Sequence, residues 1–323
     1  MNLISQASVR QHLDIERASS LIARGFGDLR DKIIASGDRT VFDPNKTNPV
    51  IGFMPASDNE FLSAKIACVS YENPSRGRDS HQGVILLFER ASGALKSIID
   101  ATELTAIRTT AVTHLVLGKL MSQRPKIEKV AIIGAGVQAY HHIKMLSSSY
   151  KIGNYVLVSR SNERFRKVKE QFKAGISIEH RDYGDSLKDC DVIILATHGD
   201  EVVLKLSQVK LPVLIFGLGA CKPAAQEIAN DILDRCVFIA DNFDACVKSS
   251  GEGKHIAKNG TADYLELVDL LEGDPKNELN QLTVVKTVGL GFEDLVCAIF
   301  LHEKLFNSPE SMNITNFGGA LAY

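Results

Sequence analysis

The 323-residue chain predicts an α/β fold: a Rossmann-type, doubly wound parallel sheet in its second half and a mixed α+β region in its first. Three observations support this. Val130-Ala131-Ile132-Ile133 runs straight into Gly134-Ala135-Gly136-Val137-Gln138-Ala139, which reads as a strand, a tight G-x-G-x-x-A turn and the start of a helix. From Ile127 onward strands and helices alternate, whereas before it short extended runs follow one another directly. The length also exceeds what one ordinary core supports, so two domains are expected.

The elements follow in order. Residues 8–36 carry a helical period through Leu13, Ile15, Ala18, Leu21, Ile22, Phe26, Leu29 and Ile33, and Ser36-Gly37-Asp38 stops it. Extended runs at Val50–Met54, Leu62–Ser70, Val84–Phe88 and Leu95–Ile99 are separated by turn clusters such as Asn73-Pro74-Ser75 and Ala91-Ser92-Gly93. Thr102 reads as an N-cap, with Glu103 in the first turn of a helix that runs to about Met121. Strands are expected at Val130–Ile133, Tyr155–Val158, Val192–Ala196, Val213–Gly217, Val237–Ala240 and Thr283–Thr287. The last helix, Phe292 to Phe306, is apolar on one side and is expected to return to the first domain. The domains are therefore 1–120 with 291–323, and 121–290.

Apolar residues make up 45% and charged residues 24%, the profile of a soluble globular chain. A net charge of −2 suggests neither nucleic acid nor an anionic membrane as partner. The six cysteines form no C-x-x-C pair and no zinc spacing, so no metal is expected and a reducing, cytoplasmic setting is. Met1 to Arg10 lacks the basic and apolar regions of a signal peptide, and no apolar run reaches membrane-spanning length.

The glycine turn implies a dinucleotide. Gly134 allows the tight turn, Gly136 lets the backbone approach a pyrophosphate, and Ala139 is small enough for helix and sheet to pack. An acidic residue closing the second strand would hold the ribose hydroxyls of NAD. Here that strand ends Val158-Ser159-Arg160-Ser161-Asn162, without a carboxylate. A guanidinium flanked by hydroxyls suits a 2′-phosphate, so NADP(H) is preferred and NAD(H) possible. Thr197 and His198 end a strand at the ligand-binding edge of such a sheet. Lys65 lies inside an apolar strand: it either points to solvent from an edge or is buried with a partner. Arg108, among apolar and small residues, wants an anion, either a ligand or a structural partner such as Asp100 or Glu103. Asp294 reads as a first-turn carboxylate at a positive helix end.

Gly134 to Tyr140, with Ala106-Ile107-Arg108-Thr109, Ser80-His81-Gln82, Leu86-Leu87-Phe88-Glu89 and Gly289 with Glu293-Asp294, resembles the ornithine cyclodeaminase/mu-crystallin family over nearly the whole chain. Ser159-Arg160-Ser161 resembles its mu-crystallin branch, an NADPH-dependent ketimine reductase. The resemblance implies a Rossmann domain and a substrate-binding domain that forms a homodimer, with a small amino-acid-like or imino-acid substrate. It implies that Lys65 faces substrate and nicotinamide as the catalytic residue, and that Arg39 binds the substrate carboxylate with help from Arg108. Thr287 takes the place of a family serine near the nicotinamide. Cofactor contacts are expected from Ser80, His81, Arg108, Thr109, Gly134, Ala135, Gly136, Val137, Gln138, Ser159, Arg160, Ser161, Thr197, His198 and Cys221. Cyclodeaminases carry an aspartate in Gly-x-Asp-x-Pro-x-Lys-x-Glu; the matching stretch, Gly219 to Glu227, has Cys221 there and Ala225 at the lysine. The expected activity is NAD(P)H-dependent reduction of a carboxylate-bearing imine. The alternatives are an ornithine cyclodeaminase, an alanine-dehydrogenase-like enzyme, or a non-catalytic protein that binds NADPH and a small ligand.

Overall fold

A computed structural model describes residues 1–43, 49–70, 72–78, 80–121, 126–172, 175–198, 201–259, 264–273, 281–306, 308 and 312–313. The chain divides into two compact units, Met1–Val112 with Leu290–Tyr323, and Thr113–Gly289. The first division falls inside helix Ala101–Leu120.

The first unit is built on an eight-stranded mixed sheet. Its order is Met312–Asn313, Asn2–Ile4, Leu95–Asp100, His81–Glu89, Phe61–Val69, Val50–Ser57 and Ala35–Ser36, with Thr40–Phe42 also pairing to Val50–Ser57. Only Asn2–Ile4 and Leu95–Asp100 pair in parallel; the other pairs are antiparallel. Alternation along the central strands turns Met54, Ala56, Lys65, Ile85, Leu87 and Ile99 to the buried face. Helix Gly291–Leu305 packs on the sheet and against helix Ile15–Arg30. Phe26 and Phe292 meet edge to face at 4.9 Å, and Gly25 runs so close that a Cβ there would stand 2.9 Å from the Phe292 ring. The other face of the sheet leaves Ile51, Phe53, Leu62 and Val84 exposed.

Two readings of this unit need correction. The periodic run 8–36 is not one helix. It divides into Gln6–His12 and Ile15–Arg30, because the Asp14 side chain accepts the Arg17 N–H at 2.7 Å and caps a new helix. Thr102 is not the N-cap of the next helix. That helix begins at Ala101, and Asp100 Oδ1 accepts the Glu103 N–H at 3.0 Å. The strands of two or three residues, such as Ala35–Ser36, are too short to carry a period.

The second unit holds eight parallel strands in the order Ser177–Arg181, Asn154–Val158, Lys129–Ile133, Val192–Leu195, Val213–Gly217, Leu282–Lys286, Val237–Ala240 and Tyr264–Glu266. Six correspond to the expected strands. The two at the edges, Ser177–Arg181 and Tyr264–Glu266, are partly exposed and lack an apolar run. The central strands are buried along almost their whole length, as a sheet covered on both faces requires. Strand order reverses between Lys129–Ile133 and Val192–Leu195, the position at whose carboxyl ends such sheets bind ligands. Among the described residues no helix is long and apolar enough to cross a membrane.

Candidate active site

In the second unit, the glycine turn stands at that strand reversal. Gly134 has a φ of +114°, and its N–H donates to Val158 O at 2.9 Å. A Cβ on Gly134 would lie 2.4 Å from Ala196 O, so only glycine fits between the two strand ends. Gly136 has open space where its Cβ would project. It is the N-cap of helix Val137–Ser149 but offers no side-chain cap, so the N–H groups of the first turn have no side-chain acceptor from it. Gln138 Oε1 is buried without a hydrogen-bond partner among the described residues. Open space over Gly136, which a Cβ would enter, at the first turn of a helix fits a pyrophosphate.

At the end of the next strand, Ser159 Oγ accepts the Ser161 N–H at 3.1 Å, and Ser161 caps helix Asn162–Lys169 by accepting the Arg164 N–H at 3.2 Å. Two hydroxyls thus shape the turn around Arg160, which is exposed and lies over the Tyr183 ring at 5.5 Å. Thr197 and His198 follow Val192–Leu195 and are half-buried. The fully buried Glu227 fixes this rim. Its Oε1 accepts the Thr197 N–H at 3.2 Å and the Thr197 hydroxyl at 2.6 Å; its Oε2 accepts the N–H groups of Gly219 and Ala220, both at 2.8 Å. The Cys221 thiol donates to Leu218 O at 3.4 Å. Thr287 follows the buried Lys286, and its N–H donates to Gly217 O at 3.2 Å. Gly134, Thr197, Glu227, Gly217 and Thr287 are therefore joined through one end of the parallel sheet.

In the first unit, the charged side chains come together at the start of helix Gly291–Leu305. Lys65 is 4% exposed, and its Nζ lies 2.7 Å from Asp294 Oδ2, itself 1% exposed. Arg108 donates from Nη1 to Glu293 Oε2 at 2.9 Å, and its Nε lies 3.7 Å from Asp294 Oδ1. Burial lowers the pKa of Lys65 from 10.5 to about 8; Asp294 opposes the fall, while Arg108 and Arg39 add to it. Arg39 is half-buried in the segment before Thr40–Phe42. Thr109 follows Arg108 on its helix, half-buried. Ser80 and His81 open strand His81–Glu89 away from these charges, with Ser80 Oγ 3.0 Å from His81 Nδ1.

Lys65 does not point to solvent from an edge strand. Arg108 pairs with Glu293, and Glu103 receives two bonds from Arg10, at 3.0 and 2.8 Å. Asp294 is more than a first-turn carboxylate. The signal for it lay in Lys65: an amine inside an apolar strand needs a buried anion, and Glu293-Asp294 precedes the apolar run Leu295–Leu301 of this helix.

Residues 2–308 match the model of the ornithine cyclodeaminase/mu-crystallin family. The ketimine reductase mu-crystallin of Mus musculus is 27% identical over 309 residues, 93% of this chain and 96% of that protein. Among solved structures, the Delta(1)-pyrroline-2-carboxylate reductase of Thermococcus litoralis, in complex with NADH and L-proline, aligns with a TM-score of 0.86 at 24% identity, covering 97% of this chain and 100% of that one. An archaeal alanine dehydrogenase dimer with bound NAD aligns with a TM-score of 0.85 at 19% identity, covering 98% and 99%.

Proposed function

This chain belongs to the ornithine cyclodeaminase/mu-crystallin family, and from that premise we propose that it reduces the C=N bond of an imine bearing a neighbouring carboxylate. The observation that carries the reading is Lys65, a buried amine 2.7 Å from Asp294 whose pKa burial brings to about 8. Reducing an imine requires a proton at nitrogen as the carbon accepts hydride. An amine titrating near neutral pH can give that proton and regain one from water. When bound, the nicotinamide dinucleotide supplies the hydride. Arg39 and Arg108 grip the substrate carboxylate and fix the approach of the imine carbon. The ketimine reductase and the pyrroline-2-carboxylate reductase among the similar proteins support this class of reaction.

The turn from Gly134 to Gln138 would hold the pyrophosphate on backbone N–H groups. Ser159, Arg160 and Ser161 would hold a 2′-phosphate, so NADP(H) is the preferred dinucleotide and NAD(H) the weaker. Thr197, His198, Cys221 and Thr287 would line the rest of that site, and Ser80, His81, Arg108 and Thr109 are carried over from the family. The neighbours' bound NADH and NAD support a nicotinamide dinucleotide without deciding the phosphate. Cyclodeamination is disfavoured at Cys221: a thiol donating to a backbone carbonyl is no substitute for a carboxylate base. The exposed face carrying Ile51, Phe53, Leu62 and Val84 supports a homodimer built on the sheet of the first unit.

The test is to follow NADPH and NADH absorbance against a panel of cyclic ketimines and pairs of 2-oxo acid and amine. Oxidation of NADPH by at least one carboxylate-bearing imine is expected. Conversion of ornithine to proline without net NADPH consumption would overturn the reading. Tight NADPH binding with no turnover on any imine would favour a ligand-binding protein instead.

A further inference from the structure

We infer that Asp294 is a positioning residue for the substrate-facing lysine: its buried carboxylate keeps Lys65 charged and aimed until the substrate takes the proton. The inference rests on the imine-reductase reading for its last step and on geometry alone for the rest.

The two adjacent acids of helix Gly291–Leu305 have different surroundings. Glu293 is fully engaged: Oε1 accepts the Leu290 N–H at 3.0 Å and Oε2 accepts from Arg108 at 2.9 Å. Asp294 has Lys65 Nζ at 2.7 Å and Arg108 Nε at 3.7 Å, and among the described residues neither of its oxygens gains any further hydrogen-bond donor. Carboxylates that hold a fold together collect donors. In the second unit Glu227 accepts from Thr197 twice and from Gly219 and Ala220, and Asp241 accepts from Val288, Gly289 and Asn242. A carboxylate 1% exposed whose nearest cation is an ammonium at 2.7 Å, with a guanidinium a full ångström further off, is poorly placed to stabilise a fold and well placed to serve that ammonium.

Burial first, and then the charges around Lys65, make the service necessary. Arg108 faces it from helix Ala101–Leu120 and Arg39 from the segment before Thr40–Phe42, and both push the proton off. The Cys297 thiol, one turn beyond Asp294, is pushed up by burial and stays neutral. Strand Val50–Ser57 places Met54 opposite Lys65 and offers no charge there. Among these groups Asp294 alone favours the charged amine. Without it, the charged amine would lose the one group here that favours it, and Lys65 would give up its proton at a lower pH.

The test is competitive acetylation of Lys65 across pH with acetic anhydride, read by peptide mass spectrometry on the full chain. It runs alongside the alkaline limb of kcat/KM for an imine that the protein reduces. Asp294→Asn should move both midpoints down together by about one pH unit or more, and Asp294→Glu should hold both within about half a unit. An Asp294→Asn protein that melts close to the parent but keeps the parental labelling midpoint would overturn the inference. If that variant does not fold, the glutamate variant decides: a retained midpoint supports the inference and a lowered one overturns it. A shifted midpoint in a protein that reduces no imine would leave the pairing standing and remove the reductase reading.

Discussion

At the scale of single residues, the proposed chemistry rests on Lys65 and the proposed choice of cofactor on Arg160. Replacing Lys65 by Met removes the proposed proton donor; kcat should fall by about 10²–10⁴-fold while NADPH affinity stays near the parental value, measured by fluorescence titration. The pH dependence follows from the same side chain. Its amine is charged below a pKa of about 8 and neutral above it, so kcat/KM should fall as pH rises through that value. A flat profile between pH 7 and 10 would contradict Lys65 as donor. Arg160→Ala should weaken NADPH binding by about 10–100-fold and change NADH binding little, the loss of a charge-assisted contact to one phosphate. Equal losses for both would remove the argument from the second strand. Lys65 announced itself in the sequence because a lysine among Ala64, Ile66 and Ala67 breaks the pattern. Asp294 did not, since an acid in a helix's first turn already has an ordinary explanation.

At the scale of elements, legibility followed burial. The six strands expected in the parallel sheet are apolar runs bounded by turns, and each formed. Strand Ser177–Arg181 was hidden because an edge strand keeps polar residues: Glu179 and Arg181 pair with each other and with neighbours at the surface. The split at Asp14 was hidden because an aspartate can sit on the solvent face of a continuous helix as readily as it can cap a new one; the extended backbone at Asp14 and its acceptance of the Arg17 N–H decide for the cap. Two glycines test the packing. Gly25→Val should destabilise the fold by about 1–3 kcal/mol in denaturant titration, because the new side chain meets the Phe292 ring. Gly134→Ala puts a Cβ at positive φ against Ala196 O. It should abolish the rise in Tm on adding NADPH, and a full NADPH-dependent rise would show that the turn is not the phosphate cradle.

At the scale of the whole molecule, the exposed sheet face of the first unit has a consequence in solution. Phe53 pairs across strands with Ile66, and Ile66 with Val84, so these residues form one apolar band rather than scattered spots. Light scattering should give twice the protomer mass, and Phe53→Glu should bring it to one protomer; a monomeric parent would contradict the dimer. The sequence could suggest this face only through family resemblance, because strand alternation alone does not say which face of a sheet is covered. The reaction itself is tested most directly by isotope transfer. With NADPH dideuterated at C4 of the nicotinamide, the amine formed from a carboxylate-bearing imine should carry one deuterium on the carbon beside the carboxylate, and the Lys65→Met protein should form little of it. A product without deuterium, or proline made from ornithine with the dinucleotide unchanged, would contradict the account.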